Sequence, residues 1–92
     1  FATTDNQSIF GQNEKLTRSR LVQLAELDDT HFRDLFSGSA IKRTGRDRFV
    51  RNVMIAIGNS GDASLIEVAQ ARRNDASEIV REMASWAVAE LS

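Results

Sequence analysis

The chain has 92 residues, 41% of them hydrophobic and 27% charged, and its formal net charge is −1. This composition is typical of one small globular domain, and the near-zero charge excludes a whole-molecule field that would attract nucleic acid. The absence of cysteine excludes disulfides, thiolate metal sites and a cysteine nucleophile, and the single histidine excludes a multi-histidine metal cage. Any binding activity must therefore come from a local cluster of residues.

The first third of the chain predicts a lead-in and two helices. Residues 1–15 are polar and lack sustained helical periodicity, so we expect an extended lead-in there. Apolar residues then recur at helical spacing over residues 16–27, and Thr17 is the candidate N-cap. A second, short helix follows residues 28–30, whose side chains suit an N-cap. The apolar face of this helix comprises Phe32, Leu35 and Phe36.

The third helix has the clearest pattern. Thr44 precedes Asp47 by three residues, which approximates a capping box at the start of the helix. The glycine-rich segment 58–61 ends it. At about 100° per residue, one face of the helix is apolar. This face comprises Phe49, Val50, Val53, Ala56 and Ile57.

Two further helices follow, and the second of them repeats the third helix of the chain. Asp62 caps a fourth helix, and a fifth begins at about Glu78. The strings Val-Arg-Asn-Val at residues 50–53 and Val-Arg-Glu-Met at residues 80–83 are offset by 30 residues (80 − 50). One helical hairpin per fixed period is typical of an α-solenoid and resembles a HEAT-like repeat. We therefore predict an all-α fold, a HEAT-like α-α superhelix of about five helices, over residues 16–92.

Basic residues concentrate just before and inside the third helix. Five cations surround the single acid Asp47, and they are Lys42, Arg43, Arg46, Arg48 and Arg51. Positive charge at a helix N-terminus is unfavourable by about 0.3–1 kcal/mol per residue, so its presence here indicates a use. Helix N–H groups flanked by arginines favour binding of phosphate groups. The alternatives are a solvated face and ion pairs with the acids of a neighbouring domain.

One isoleucine lies among polar residues on the opposite face of the third helix. Arg51, Asn52 and Ile55 share this face, where an isoleucine is unusual in free solvent. We therefore predict that Asn52 and Ile55 contact another domain, and a structural role for Arg51 stays open beside a phosphate-binding one. No catalytic residue is predicted, because His31 lacks a nucleophile and an orienting acid in a recognisable motif. No metal site is predicted either.

A longer pattern narrows the function. It comprises Phe32-Arg33, Phe36, Gly38-Ser39, Ile41-Lys42-Arg43, Arg51-Asn52 and Gly58-Asn59. This pattern resembles the region of epoxyqueuosine reductases that follows their last cluster-binding cysteines. The opening pair Phe1-Ala2 resembles a Phe-Ala pair of that region, whereas Ala40 departs from the proline that is usual there. The resemblance implies a C-terminal HEAT-like domain, with residues 1–15 following a missing iron–sulfur segment.

The resemblance also implies a parent enzyme, an oxidoreductase of tRNA queuosine biosynthesis that uses cobalamin and two [4Fe-4S] clusters. This fragment is then expected to be non-catalytic and without a cofactor. It would help to bind tRNA through the five basic residues and would brace the missing N-terminal catalytic and ferredoxin-like domains. The alternative is a structural or protein-interaction HEAT-like solenoid of another iron–sulfur oxidoreductase. Because the sequence lacks a signal peptide and an apolar run of about 18 residues, a cytoplasmic protein without membrane contact is expected.

Overall fold

A computed structural model describes the backbone of residues 10–92 and the side chains of residues 17–92. Within these residues the chain forms five α-helices and two 3₁₀ turns, with no strand, so the predicted all-α fold is confirmed there. The helices are α1 (Phe10–Ala25), α2 (Asp29–Leu35), α3 (Arg46–Asn59), α4 (Ile66–Arg72) and α5 (Glu78–Leu91). The 3₁₀ turns are Ala40–Thr44, before α3, and Ala63–Leu65, before α4. No helix in this part of the chain has the length and apolar character needed to cross a bilayer.

Two of the predicted helix caps are present. Asp28 is the N-cap of α2, and its carboxylate accepts a 2.8 Å hydrogen bond from the backbone N–H of His31. Asp62 caps the turn that leads into α4 and accepts a 3.0 Å bond from the N–H of Ser64. The bond from His31 stabilises the ionised carboxylate of Asp28, so the pKa of Asp28 lies below its usual range. The pKa of Asp62 is also lowered, chiefly because the Ser64 hydroxyl donates to its Oδ1 at 2.6 Å and secondly because of the Ser64 N–H.

The start of α1 differs from the prediction. The helix includes Phe10 and therefore begins at least six residues before Leu16, so residues 10–15 are helical and not extended. Thr17 consequently lies inside the helix and is not its N-cap. Glutamine, glutamate and lysine are good helix formers, and one glycine costs only about 1 kcal/mol, so polar composition alone was a poor reason to exclude a helix here. Residues 1–9 of the predicted lead-in lie outside the described part of the chain.

The start of α3 also differs. Its N-cap is Gly45, which has φ 83° and makes no side-chain capping bond, whereas Thr44 belongs to the preceding 3₁₀ turn. The predicted capping box is therefore wrong. A turn that enters a helix through positive φ favours glycine over a residue with a side chain, which explains why Gly45 takes this place.

The core lies between α3 and α5. These two helices make the most extensive contact, α4 packs on α5, and α1 covers α3 and α4. The 30-residue offset recurs in burial, because three positions of α3 and the positions 30 residues later on α5 are all fully buried. These pairs are Val50 and Val80, Met54 and Ala84, and Ile57 and Ala87. This agreement supports the repeat, and the HEAT-like description remains our interpretation of it.

One residue of the predicted apolar face of α3 is wrong. Ala56 is exposed, and Met54, which was not assigned to that face, is fully buried. The angles explain this result: Met54 lies about 40° from Val50 around the helix, whereas Ala56 lies about 120° from it. The buried face of α3 is therefore rotated around the helix relative to the predicted face, away from Ala56 and toward Met54.

Gly58 allows α3 and α5 to approach closely. It is buried on α3, and the ring of Trp86 from α5 lies directly against its Cα. A Cβ atom at Gly58 would stand 3.0 Å from Cε3 and from Cη2 of Trp86, and nearer still to Cζ3. The glycine therefore makes room for the indole, and Trp86 packs against the core.

Candidate nucleic-acid interface

The basic residues lie on the turn before α3 and on the first two turns of α3. The 3₁₀ turn Ala40–Thr44 carries Lys42 and Arg43, and all five of its residues are exposed. Ser39 caps the turn, because its hydroxyl accepts a 3.2 Å hydrogen bond from the N–H of Ile41. The remaining three basic residues, Arg46, Arg48 and Arg51, belong to α3.

Three phenylalanine rings connect this region to α2. Phe32 and Phe36 come from the α2 segment, and Phe49 comes from the first turn of α3. Their ring centroids are 4.9–5.4 Å apart with tilted planes, which is a favourable aromatic geometry. The prediction that Leu35 shares this apolar face is wrong, because its side chain is 58% exposed.

Arg46 points into the protein. Its Nη1 and Nη2 donate to the two carboxylate oxygens of Asp75 at 2.7 and 2.6 Å, and its Nε donates to the backbone oxygen of Leu27 at 2.7 Å. The two charged side chains are only 9% and 5% exposed. The hydrogen bonds from the guanidinium lower the pKa of Asp75 and raise the pKa of Arg46, so both groups stay ionised. Arg46, which the sequence assigned to the phosphate-binding set, is thus occupied internally.

Asp75 organises the loop between α4 and α5. Its Oδ2 accepts a 2.9 Å hydrogen bond from the N–H of Ser77, at the start of α5. Arg72 lies 3.5 Å from its Oδ1, and Arg81 donates to its backbone oxygen at 2.8 Å. Through Asp75 and Leu27, Arg46 therefore joins the start of α3 to the two loops that precede α2 and α5.

The N-terminus of α3 borders a cleft of about 310 Å³. Three of its lining residues are carboxylates, which repel phosphate, so the structure argues against the phosphate seat predicted at this helix end. The cleft is lined by Asp28, Asp29, Arg46, Asp47, Ala76 and Ser77.

Three basic residues remain on the outside, and we call them the basic turn surface: Lys42, Arg43 and Arg48. All three are exposed, and none forms an ion pair with a carboxylate of residues 17–92. Arg48 follows Arg46 by two residues, which places them about 200° apart around α3. Because Arg46 points into the protein, Arg48 points outward. The basic turn surface lies within seven consecutive residues and can present its charges together.

The predicted interdomain residues form a second surface on α3, the α3 side surface, which comprises Arg51, Asn52 and Ile55. Arg51 is half-buried, and its Nη2 donates to Oδ1 of Asn52 at 3.1 Å. Its Nε is shielded from solvent and finds no hydrogen-bond partner in the described residues. Ile55 is half-buried but does not belong to the apolar residues that pack on the core. Arg51 is therefore partly packed, in contrast to the freely exposed basic turn surface.

Asp75 is the residue of this region that the sequence did not single out. Residues 74–77 were interpreted only as a break between helices. One signal was available, because an aspartate two residues before Ser77 is well placed to accept a hydrogen bond from the N–H of Ser77, the residue just before α5. Nothing local indicated that Arg46, 29 residues earlier in the chain, would be its partner.

The residues of this chain do not fit an iron–sulfur cluster. The sequence contains no cysteine, and residues 17–92 include no group of three or more His, Asp or Glu side chains that could hold a metal ion.

The fold and the surface together define a small all-α domain with an internally braced helix start and an exposed basic turn. Comparison with curated proteins then gives the family resemblance. Over 98% of its length, the chain is 36% identical to an epoxyqueuosine reductase of Vibrio cholerae, 35% identical to one of Alicycliphilus denitrificans and 33% identical to one of Xanthomonas campestris. The chain covers 24%, 27% and 26% of these three relatives.

The predicted resemblance to epoxyqueuosine reductases is thereby confirmed as a domain-level match. The chain spans about a quarter of the length of the curated relatives it matches. No protein-family model matches the chain, and no solved structure matches it either.

Proposed function

We propose that these 92 residues form a non-catalytic domain of an epoxyqueuosine reductase, and that the domain helps to hold the tRNA substrate through the basic turn surface. The observation that carries the proposal is the contrast within one short segment. Arg46 is paired inside the protein, whereas Lys42, Arg43 and Arg48 are exposed without carboxylate partners in the described residues. The parent enzyme would be a cytoplasmic oxidoreductase, and cobalamin and two [4Fe-4S] clusters would belong to its other domains.

The expected mode of binding is contact with the RNA backbone. Long, flexible cations neutralise phosphates regardless of sequence, and the turn carries no aromatic side chain on which a base could stack. Each phosphate that a cation neutralises contributes about −0.7 to −0.9 to the slope of log K against log salt. Three contacts would therefore contribute a slope of roughly −2 to −3.

The test uses the longest natural protein that contains these residues, with two variants of equal charge. The first carries Arg43→Glu and Arg48→Glu. The control carries Arg20→Glu and Arg73→Glu, two exposed arginines elsewhere on the domain. Binding of tRNA transcript is measured at several salt concentrations. We expect the first variant to bind at least about tenfold more weakly with a shallower salt slope, and the control to stay much closer to wild type.

Two results would count against this function. Unchanged affinity and slope in the first variant would contradict tRNA contact and would favour the structural or protein-interaction solenoid of another iron–sulfur oxidoreductase. An equal loss in both variants would show that net charge acts without a specific surface.

We also propose that the α3 side surface braces the remainder of the enzyme. Ile55 is half-buried apart from the core, and Nε of Arg51 is shielded without a partner in the described residues, a partner that an acceptor on a neighbouring domain would supply. In the longest natural protein, Ile55→Asp is expected to speed proteolysis between this domain and the rest. Ala56→Asp, at an exposed neighbour, is the control. Equal cleavage of both variants would contradict the proposal.

A further inference from the structure

We propose that Arg46 and Asp75 form a positioning pair for the basic turn surface. The pair contacts no RNA itself, and it determines where Lys42, Arg43 and Arg48 stand when the RNA arrives. This inference rests on the proposed function. It adds two residues that are not exposed, and one of them, Asp75, is not basic.

The need for such a pair follows from how little supports the basic turn. None of the residues Ala40–Thr44 is buried, and Ile41, the largest apolar side chain of the turn, is 40% exposed, so the turn's own side chains anchor it only weakly. Its internal bonds, from Lys42 N–H to Ser39 O at 3.2 Å and from Gly45 N–H to Lys42 O at 3.3 Å, set its shape but not its place on the protein. Its place must therefore be set by the residues at its two ends.

The first end is held by aromatic packing. The N–H of Ser39 donates to the backbone oxygen of Phe36 at 2.9 Å, and the ring of Phe36 lies 4.9 Å from that of Phe49 on α3. This end is apolar in character and includes no charged group of the basic turn surface.

The second end is held by Arg46. Only Gly45, with φ 83°, separates the turn from Arg46, and Gly45 has no side chain with which to fix the joint. Arg46 makes three short hydrogen bonds to Asp75 and Leu27, two of them charge-assisted and bidentate, and such pairs are geometrically specific. The ionic pair is therefore the directional contact at this end, and it lies two residues from Arg48.

Electrostatics and positioning predict opposite effects for Asp75→Asn. The substitution removes a negative charge near a basic surface, so charge alone predicts equal or tighter RNA binding. If the pair positions the surface, the weakened contact frees the turn, and RNA must then order it at an entropic cost, so binding becomes weaker. The sign of the change separates the two explanations.

The experiment measures tRNA binding at several salt concentrations in the longest natural protein, for Asp75→Asn and for the control Asp34→Asn. Asp34 is exposed and forms no ion pair in the described residues. We expect Asp75→Asn to bind about five- to tenfold more weakly, with a salt slope reduced by about one phosphate contact. A loss of stability alone would not change the slope of the folded protein. The control is expected to bind as tightly as wild type or more tightly.

Equal or tighter binding by folded Asp75→Asn would overturn the positioning role. If circular dichroism shows that this variant does not fold, Arg46→Lys decides, because it keeps the charge and loses the bidentate geometry. Weaker binding with a reduced slope supports the pair, and wild-type affinity and slope overturn it. Loss of binding in Arg43→Glu/Arg48→Glu together with normal binding in the Asp75 variant would remove only this inference. Normal binding in the former would remove the proposed function itself.

Discussion

Replacing Gly58 by alanine tests the contact between α3 and α5. In an ordinary helix interior this substitution stabilises a protein by about 0.5–1 kcal/mol, because alanine loses less backbone entropy on folding. Here the added methyl group would overlap the ring of Trp86, with two further ring atoms at 3.0 Å. Overpacking of this kind costs about 1–3 kcal/mol, which exceeds the gain in helix propensity. We therefore expect a net loss of about 1–2 kcal/mol, or a fall in Tm of roughly 5–15 °C.

The assay is urea denaturation followed by far-ultraviolet circular dichroism, with two further variants. Ala56→Gly changes an exposed position of the same helix and measures the propensity difference alone, expected at about 1 kcal/mol. Trp86→Ala removes the ring, and in that background Gly58→Ala should become stabilising. A Gly58→Ala protein that is more stable than wild type, or one whose loss persists without the indole, would refute the packing argument.

Two further predictions concern stability. Because the pKa of Asp75 is lowered in the folded protein, the unfolded chain binds more protons below pH 3.8, so stability present above that pH is lost as pH falls. Asp75→Asn should lower the free energy of unfolding by about 3 kcal/mol at pH 7 and should reduce the loss of stability at acid pH. Urea titrations from pH 7 to pH 2 measure both effects. A loss of stability at acid pH as large as that of wild type would contradict the role given to Asp75. Phe32→Ala should cost about 3–5 kcal/mol, because the ring is 2% exposed and touches two other rings. Leu35→Ala, at a side chain three residues later that is 58% exposed, should change the free energy of unfolding by no more than about 0.5 kcal/mol in the same denaturation assay. Equal losses in Phe32→Ala and Leu35→Ala would contradict the burial of Phe32 and the exposure of Leu35.

Most of the helices were predictable, because their signals are local. The offset of 30 residues between two similar strings predicted that α3 and α5 are equivalent, and the three buried pairs agree with it. Asp28 and Asp62 cap where their sequence positions indicate, since an N-cap bond spans only two or three residues. Helix geometry was also sufficient to predict that Ala56 is exposed. Its assignment to the apolar face came from a wrong angle around the helix.

The residues that the sequence assigned wrongly, Arg46 and Leu35, depend on contacts with residues that are distant in sequence. A run of basic residues looks uniform, yet Arg46 finds a carboxylate 29 residues away while Arg43 and Arg48 find none in the described residues. Leu35 has the right spacing for an apolar face, but α2 has only seven residues and its far end is not covered by another helix. The sequence indicated where charge concentrates, and the structure was needed to divide that charge between the interior and the surface.

The central claim is that the basic turn surface, and not the net charge of the domain, contacts tRNA. The most direct measurement is the salt dependence of tRNA binding by the longest natural protein, compared with Arg43→Glu/Arg48→Glu and with Arg20→Glu/Arg73→Glu. We expect weaker binding and a slope shallower by about 1.5–2 in the first variant, with the second close to wild type. Identical slopes in all three proteins would contradict it.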